Sequence, residues 1–241
     1  MIALSAIDQE RFGLVIARDD HITNASLTAA LDFCDAHGVR MLIARCSSDD
    51  VAAARGLEAA GARQMDTLVY YARTLDSELN LEHQCSVPIR PFRSGDEVAV
   101  RRVAAEAFRD YAGHYHSDER LDRQRVAEIY PSWAERSCLS RQVADQVLVA
   151  DDGKIVGFAT LRLNDPLEAE GVLFAVAPQA RGLGIYRAFM NEGLRWATQH
   201  NTQRMVVSTQ LTNHIVQQVW TSLGFTPLRT LYTFHLWFAG A

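Results

Sequence analysis

Hydrophobic residues recur along the chain with the spacings of helices and strands, in two series separated by a polar segment. In the first series they predict helices over residues 27–37 and 51–60 and strands over residues 39–44 and 67–72. Gly38 and Gly61 follow the two helices, at the position where glycine commonly ends a helix. The polar stretch of residues 74–84 is typical of a linker.

The second series is longer and alternates strands with helices. Its pattern favours an α/β fold with a central mixed sheet flanked by helices. A hairpin turn is predicted at Asp151-Asp-Gly-Lys154. Strands are predicted over residues 146–150, 155–163, 171–176, 204–209 and 230–238, and helices over residues 96–108, 121–135 (interrupted at Pro131), 186–199 and 213–222.

Both series contain the same order of elements: helix, strand, helix, glycine, strand. This order occurs over residues 27–73 and 189–238, where Arg204-Met205 matches Arg40-Met41 and Leu231 matches Leu68. We interpret the match as an internal duplication. A truncated half domain over residues 1–82 would then precede a complete domain over residues 83–241. The alternative is that any two segments of alternating strands and helices look alike.

Composition narrows the class of protein. The 241 residues carry a formal net charge of −5, and 48% are hydrophobic, which is typical of a folded chain with a sizeable core. No basic run suggests a nucleic-acid partner, and no apolar run has the length of a membrane span. The four cysteines are far apart and form no C-x-x-C motif, so we expect neither a disulfide framework nor a zinc site. This use of cysteine favours a reducing cytoplasm.

A glycine-containing loop joins the strand over residues 171–176 to the helix over residues 186–199. The segment runs Val176-Ala-Pro-Gln-Ala-Arg-Gly-Leu-Gly-Ile-Tyr186. Unpaired N–H groups and the dipole at a helix N-terminus favour phosphate, and Gly182 and Gly184 let a ligand approach the backbone. The sequence therefore predicts a pyrophosphate site, the alternative being an ordinary tight turn.

Gln179-Ala-Arg-Gly-Leu-Gly184 fits the signature (Q/R)-x-x-G-x-(G/A), and through it the chain resembles the GCN5-related N-acetyltransferases. Ile89-Arg-Pro-Phe-Arg-Ser-Gly-Asp96 is similar to the opening strand and turn of that family. Asn213-x-x-Val-x-x-Val-Trp-x-x-x-Gly-Phe225 is similar to its later helix. The resemblance covers residues 88–238. It implies the fold of the family, acetyl-CoA or another short acyl-CoA as donor, and no metal.

The resemblance also implies roles at the donor site. Where the family commonly has a tyrosine as general acid, this chain has Trp220, whose indole N–H does not protonate a thiolate. Three alternatives follow for the leaving thiolate. Tyr186 or a water supplies its proton, or the thiolate leaves without one, or catalysis is weak. Trp220 would pack against the pantetheine or simply fill the core. The expected acyl-CoA contacts are Phe174, Val176, Arg181, Gly182, Leu183, Gly184, Ile185, Tyr186, Asn213 and Trp220.

Three residues are candidates for the catalytic base. Glu170 stands near the start of the third strand of the second series, where histone-type members of the family have a glutamate base; a solvated strand-end charge is the alternative. His114 and His116 are rivals, because imidazole suits proton transfer near neutral pH. More often, such histidines only form hydrogen bonds. The two histidines could also suggest a metal pair, but a third ligand is not evident and a zinc site needs more ligands.

A narrower resemblance concerns the acetyltransferases of TDP-linked amino sugars, TDP-fucosamine acetyltransferases among them. It is carried by Asp8-Gln-Glu-Arg-Phe-Gly13, by Tyr111-Ala-Gly-His-Tyr-His-Ser-Asp118 and by Tyr130-Pro-Ser-Trp133. It implies a nucleotide-sugar acceptor and a homodimer. Four aromatic residues here could stack on the acceptor or fill a core: Tyr111, Tyr115, Tyr130 and Trp133. Three arginines could bind the diphosphate of the acceptor or form a solvated helix face: Arg120, Arg123 and Arg125.

Two other functions stay open at this point. One is acyl transfer to an unrelated amine, such as an antibiotic, an amino acid or a protein N-terminus. The other is a non-catalytic module that binds acyl-CoA, which the tryptophan at position 220 keeps open.

Overall fold

A computed structural model describes residues 1–75 and 85–238. The first series of elements comprises β1 (Ala3–Leu4), α1 (Ala6–Phe12), β2 (Ile16–Asp19), α2 (Leu27–Ala36), β3 (Met41–Ser47), α3 (Val51–Ala59) and β4 (Arg63–Thr74). The linker expected at residues 74–84 falls mainly on residues outside the described ranges, and so does the expected boundary between residues 82 and 83. No helix in the described ranges has the length and hydropathy of a membrane span.

The second series begins with β5 (Ile89–Pro91). It continues with α4 (Glu97–Ala107), α5 (His114–Ser117), α6 (Arg123–Ala127), α7 (Ile129–Leu139), β6 (Gln146–Asp151), β7 (Ile155–Asp165), β8 (Glu168–Val176), α8 (Ile185–Gln199), β9 (Arg204–Gln210), α9 (His214–Ser222) and β10 (Thr226–Trp237). The predicted α/β fold with a central mixed sheet is confirmed.

Most predicted elements form within a few residues of the expected limits. The helix expected over residues 121–135 is two helices, α6 and α7, and it breaks at Glu128 rather than at Pro131. Pro131 lies in the first turn of α7, where its missing N–H leaves no helix hydrogen bond unmade. The pattern did not predict α1, β2 or α5, because each is short and mixes polar with apolar residues.

The ten strands form one continuous sheet in the order β1-β2-β3-β10-β4-β9-β8-β7-β6-β5. The last strand of the chain, β10, lies between β3 and β4 and is antiparallel to both. The two series therefore share a sheet through strands that are distant in sequence.

A pseudo-two-fold relation connects the central strands. Leu68 lies directly opposite Leu231, and β3 pairs with β10 as β9 pairs with β4. Gly61 and Gly224, which precede the two long strands, both have positive φ. The order α2-β3-α3-β4 thus recurs as α8-β9-α9-β10. The internal duplication stays a hypothesis.

Candidate active site

The parallel strands β8 and β9 separate part-way along their length. They pair from Glu168 and Arg204 to Gly171 and Val207, and no further, although β8 continues to Val176 and β9 to Gln210. A bulge at Val172, between the pairs Leu161–Gly171 and Thr160–Leu173, bends β8 where the separation begins. The facing edges beyond this point have backbone groups free to bind an extended amide-containing ligand.

The predicted glycine loop lies at the end of β8. A short 3₁₀ turn, Pro178–Ala180, leads to Gly182 (φ 83°) and Gly184 (φ 77°), and α8 begins at Ile185. A Cβ built on Gly182 would meet nothing within 4 Å, so its backbone conformation is what favours glycine, and the space beside it is open. No side chain caps the N-terminus of α8, which leaves its N–H groups for a ligand. This loop therefore fits a pyrophosphate.

A large cleft, about 770 Å³ in volume, opens from the separated strands across the face of the sheet toward β2 and β3. Ten of the residues singled out as acyl-CoA, catalytic or acceptor contacts line it: Tyr111, His114, Tyr115, Tyr130, Trp133, Glu170, Phe174, Tyr186, Asn213 and Trp220. Val176, His116 and the loop residues 181–185 do not line this cleft. The cleft thus joins the separated strands to the segment expected to hold the acceptor.

Trp220 and Tyr186 form a hydrogen-bonded pair at the end of the cleft nearest the loop. The indole Nε1 of Trp220 donates to the hydroxyl of Tyr186 at 3.0 Å, and only 2% of Trp220 is exposed. Burial raises the pKa of Tyr186 well above its usual value. The tyrosine therefore stays protonated, and because its oxygen accepts from Trp220, its own O–H is free to donate.

Glu170 lies on the cleft face of β8 and is bound to an arginine. Arg162 Nη2 lies 2.7 Å from Glu170 Oε2, and Arg162 stands directly opposite on β7. An incoming amine would compete with this guanidinium for the carboxylate.

His114 is buried and lines the cleft, whereas His116 does not line it. His114 Nδ1 lies 2.8 Å from Nε2 of His235, and His235 Nδ1 lies 2.7 Å from Oδ2 of Asp118. His116 stacks on Tyr130 with ring centroids 6.0 Å apart. Sequence reasoning missed His235 and Asp118, since His235 follows its two partners by 121 and 117 residues and belongs to the last strand.

The three tyrosines that the sequence predicts at the acceptor differ in their surroundings. Tyr130 stacks on Phe108 at 4.2 Å and meets Tyr111 edge-on at 5.2 Å, so these rings form one aromatic wall of the cleft. Burial raises the pKa of Tyr111 to about 12. Tyr115 donates its hydroxyl to Asp8 at 2.7 Å and accepts from Arg18 at 3.0 Å, so its polar group is already bound to the first series.

The geometry of the cleft and the glycine loop, together with comparison to known proteins, identifies the family. The pattern of the Acetyltransferase (GNAT) family matches residues 103–225, which is half of the chain. The chain belongs to this family. GNAT enzymes use acyl-CoA, and the open glycine loop and the separated strands β8 and β9 fit such a donor.

Individual relatives of this GNAT protein are distant. It is 24% identical over 147 residues to the "Spore coat polysaccharide biosynthesis protein SpsD" of Bacillus subtilis, a match that covers 61% of this chain and half of that protein's length. A GCN5-related N-acetyltransferase of Sphaerobacter thermophilus superposes with a TM-score of 0.66 at 16% identity, over 100% of this chain and 77% of the other. A tandem GNAT protein from the clavulanic acid biosynthesis pathway gives a TM-score of 0.60 at 15% identity, over 94% and 76%. These structural likenesses establish the fold.

The arginines expected near the acceptor lie elsewhere in this GNAT protein. Arg123 and Arg125 bind the backbone carbonyls of His116 and Arg11, and Arg120 stacks on Trp237. Other arginines line the cleft instead: Arg11, Arg18, Arg45, Arg136, Arg162 and Arg229. Arg45 interrupts the apolar strand Met41-Leu-Ile-Ala-Arg-Cys-Ser47, and that interruption was a usable signal in the sequence.

A metal site has no support in the described residues, where no three histidine, cysteine, aspartate or glutamate side chains are grouped to hold an ion.

Proposed function

We propose that this protein is an N-acyltransferase that moves an acyl group, acetyl by default, from acyl-CoA to the amine of a nucleotide-linked deoxyamino sugar. The proposal rests mainly on one observation. A single cleft begins at the separated strands β8 and β9, beside Tyr186, Asn213 and Trp220, and ends among aromatic and arginine side chains.

The donor end offers what an acyl-CoA needs. The N–H groups at the start of α8 face an open space beside Gly182 and favour a pyrophosphate. The unpaired edges of β8 and β9 can bind the pantetheine amides. Asn213, whose amide donates to Thr209 at 3.0 Å, stands at the end of β9 on the cleft. The thioester would then lie beside the bulge at Val172.

Transfer requires a neutral amine, a polarised carbonyl and a stabilised thiolate. The amine nitrogen bonds to the acyl carbon, the carbon–sulfur bond breaks, and the nitrogen loses a proton to a base. Unpaired backbone N–H groups beyond the bulge stabilise the developing oxyanion. The free O–H of Tyr186 stabilises the leaving thiolate, in place of the tyrosine that the family commonly has at the position of Trp220.

The acceptor end is suited to a sugar attached to an anion. Phe108, Tyr111 and Tyr130 offer ring faces and edges to a sugar or a base. Arg18, Arg45 and Arg229 stand on the cleft face of β2, β3 and β10 and carry the charge that a diphosphate prefers. A relative that is named for polysaccharide biosynthesis supports an acceptor of this class. We also propose a cytoplasmic location and a homodimer.

Thiol release from acetyl-CoA, measured against a panel of TDP-linked 3-amino and 4-amino deoxysugars, tests the proposal. We expect steady turnover with one sugar and its loss in Gly182→Asp, since a carboxylate would repel the pyrophosphate. Gly153→Asp is the matched control, because Gly153 also has positive φ and open space but lies in the β6–β7 hairpin. Turnover with an unrelated amine alone would overturn the acceptor assignment, and tight acetyl-CoA binding without turnover on any amine would favour a binding module.

A further inference from the structure

Three ionisable side chains, two at the ends of α5 and one on β10, form a buried line that ends at the cleft. Asp118 lies just after α5, His235 on β10 and His114 at the start of α5. Asp118 and His235 are 3% and 1% exposed, so water does not compete for their hydrogen bonds. The Asp118 carboxylate also accepts from Trp237 Nε1 at 2.7 Å and from the backbone of Arg120 at 3.0 Å.

The carboxylate fixes the direction of every hydrogen bond in the line. An ionised carboxylate only accepts, so His235 must donate from Nδ1 to Asp118. In neutral His235 the other nitrogen, Nε2, then accepts, and His114 must donate to it from Nδ1. Nε2 of His114 is left with its lone pair. That nitrogen has no hydrogen-bond partner among the described residues, and the protein does not enclose it fully. His114 lines the cleft, so a ligand there can reach it.

Charges around the line agree with this assignment. Burial raises the pKa of Asp118, but hydrogen bonds from His235 and Trp237 outweigh it and lower the pKa to about 2. Burial, assisted by nearby positive charges, holds the pKa of His114 well below its usual value, so its imidazole is neutral at physiological pH. The titratable and charged groups that face His114 are His235, Tyr115, His116, Arg18, Arg45 and Asp66.

His114 is held against β4 and against the last residue of β9, at the far end of the part of β9 that has separated from β8. Its backbone N–H donates to Asp66 Oδ2 at 3.0 Å, and a Cβ on the preceding Gly113 would lie 3.4 Å from the amide nitrogen of Gln210, the last residue of β9. Asp66 and Gln210 stand on the same face of neighbouring strands, one diagonal step apart, because Leu68 pairs with Gln210. Oδ1 of Asp66 and Oε1 of Gln210 are buried without a partner, yet both residues line the cleft.

We propose that His114 Nε2 takes the proton from the acceptor amine, and that His235 and Asp118 are the positioning residues that set its tautomer. This inference rests on the proposed acyl transfer and names the base for it. As the carbon–nitrogen bond forms, the nitrogen's proton passes to Nε2 of His114. It then leaves to the departing thiolate or to solvent, so the protein returns to its starting state.

Variants of His114 and His235 separate this role from a structural one. In His114→Asn the amide can keep the hydrogen bond to His235 but offers no imidazole nitrogen, so we expect a loss of kcat of about 10²–10⁴-fold. In His235→Gln the amide can donate to Asp118 and accept from His114, which preserves the direction of the line. His235→Phe does neither, and we expect it to lose at least tenfold more activity than His235→Gln.

The pH profile adds a readout that simple loss of packing would not move. Since the pKa of His114 is depressed, wild-type kcat/KM should show no limb from this group until well below pH 6.5. Repulsion between the two imidazoles opposes the protonation of His114. That repulsion is absent in His235→Phe, so the acidic limb should move to higher pH in this variant. The same acceptor is used throughout, so its own ionisation is common to all profiles. Equal profiles for wild type and His235→Phe would overturn the proposal.

A measurement on the protein without substrates keeps this test distinct from that of the proposed function. Long-range ¹H–¹⁵N spectra of the imidazoles at neutral pH should find His114 and His235 protonated at Nδ1 and bare at Nε2. A proton on Nε2 of His114 would overturn the inference even if acyl transfer occurs. Wild-type turnover that survives in His114→Asn but is lost in Glu170→Gln would also overturn it, whereas no turnover in wild type would count against the proposed function alone.

Discussion

In the proposed transfer, Tyr186 and Trp220 divide between them a task that one tyrosine performs in many members of the family. Trp220 cannot give up a proton, but its N–H orients the Tyr186 hydroxyl and occupies one of its lone pairs. The raised pKa of Tyr186 makes it a hydrogen-bond donor to a thiolate rather than a source of a free proton. A change at position 220 therefore need not remove activity.

Replacing Tyr186 with phenylalanine tests this division. We expect kcat to fall by about 10²-fold, as on removing one preorganised donor from an anionic transition state. The effect should be constant between pH 6 and pH 9, because a tyrosine with a raised pKa does not ionise there. Steady-state kinetics at saturating donor would check it.

Measurements of unfolding free energy separate the structural contribution of the Trp220–Tyr186 hydrogen bond from its role in the proposed catalysis. Tyr186→Phe leaves the buried Trp220 N–H without a partner, which costs about 1–3 kcal/mol of unfolding free energy. Trp220→Phe should destabilise the fold while keeping more of kcat. Chemical denaturation of both single variants and of the double variant gives the coupling, and strict additivity would contradict a shared hydrogen bond.

Asp118 should make stability fall in acid. Its folded-state pKa of about 2 lies below the ordinary value of 3.8, so the contribution is present above about pH 4 and is lost as the pH falls through 2. Asp118→Asn should be less stable near neutral pH and should lose less between pH 4 and pH 2. The urea midpoints of both proteins, measured across that range, check this, and parallel curves would contradict it.

At the scale of elements, Gly157 lets β7 and α8 approach closely enough to hold the glycine loop in place. A Cβ at this position would lie 3.0 Å from Phe189, 3.1 Å from the carbonyl oxygen of Ala175 and 3.3 Å from Ile185. Ile185 and Phe189 belong to the first turns of α8, and Ala175 belongs to β8. The loop between β8 and α8 therefore depends on a contact from the neighbouring strand.

Gly157→Ala should cost about 1–3 kcal/mol of unfolding free energy, because a backbone oxygen and a fully buried ring must both move. The variant should also raise KM for acyl-CoA, since the start of α8 shifts with Ile185. Adding Phe189→Leu should recover part of the stability, as measured by thermal unfolding. A single variant as stable as the wild type would contradict this close packing.

Local sequence pattern predicted the elements well and the site unevenly, for a physical reason. The glycine loop is contiguous, so residues 179–184 predict it without any tertiary structure. The line from Asp118 to His114 passes through β10, whose place between β3 and β4 depends on pairing across the whole chain. No periodicity in the sequence reports that pairing, so neither His235 nor the arginines that line the cleft were singled out.

At the scale of the whole molecule, strands of the two series alternate within one sheet, so each series depends on the other for its neighbouring strands. β10 has both of its neighbours in the first series, and β9 has β4 on one side and only part of β8 on the other. The residues that close the cleft come from both: Asp66, Arg18 and Arg45 from the first, and His114 and Glu170 from the second. The cleft therefore depends on both series.

A chain that begins at residue 85 should therefore neither fold cooperatively nor turn over. Without β3 and β4, strand β10 would expose two unpaired edges, and Leu231, Phe234 and Leu236 would lose the neighbours that bury them. We expect aggregation or a broad thermal transition by circular dichroism. Co-expression with residues 1–84 as a separate chain should restore a sharp transition and acyl-CoA binding, because the missing strands are then supplied in trans. A fragment of residues 85–241 that melts as sharply as the full chain would instead establish the second series as an autonomous domain.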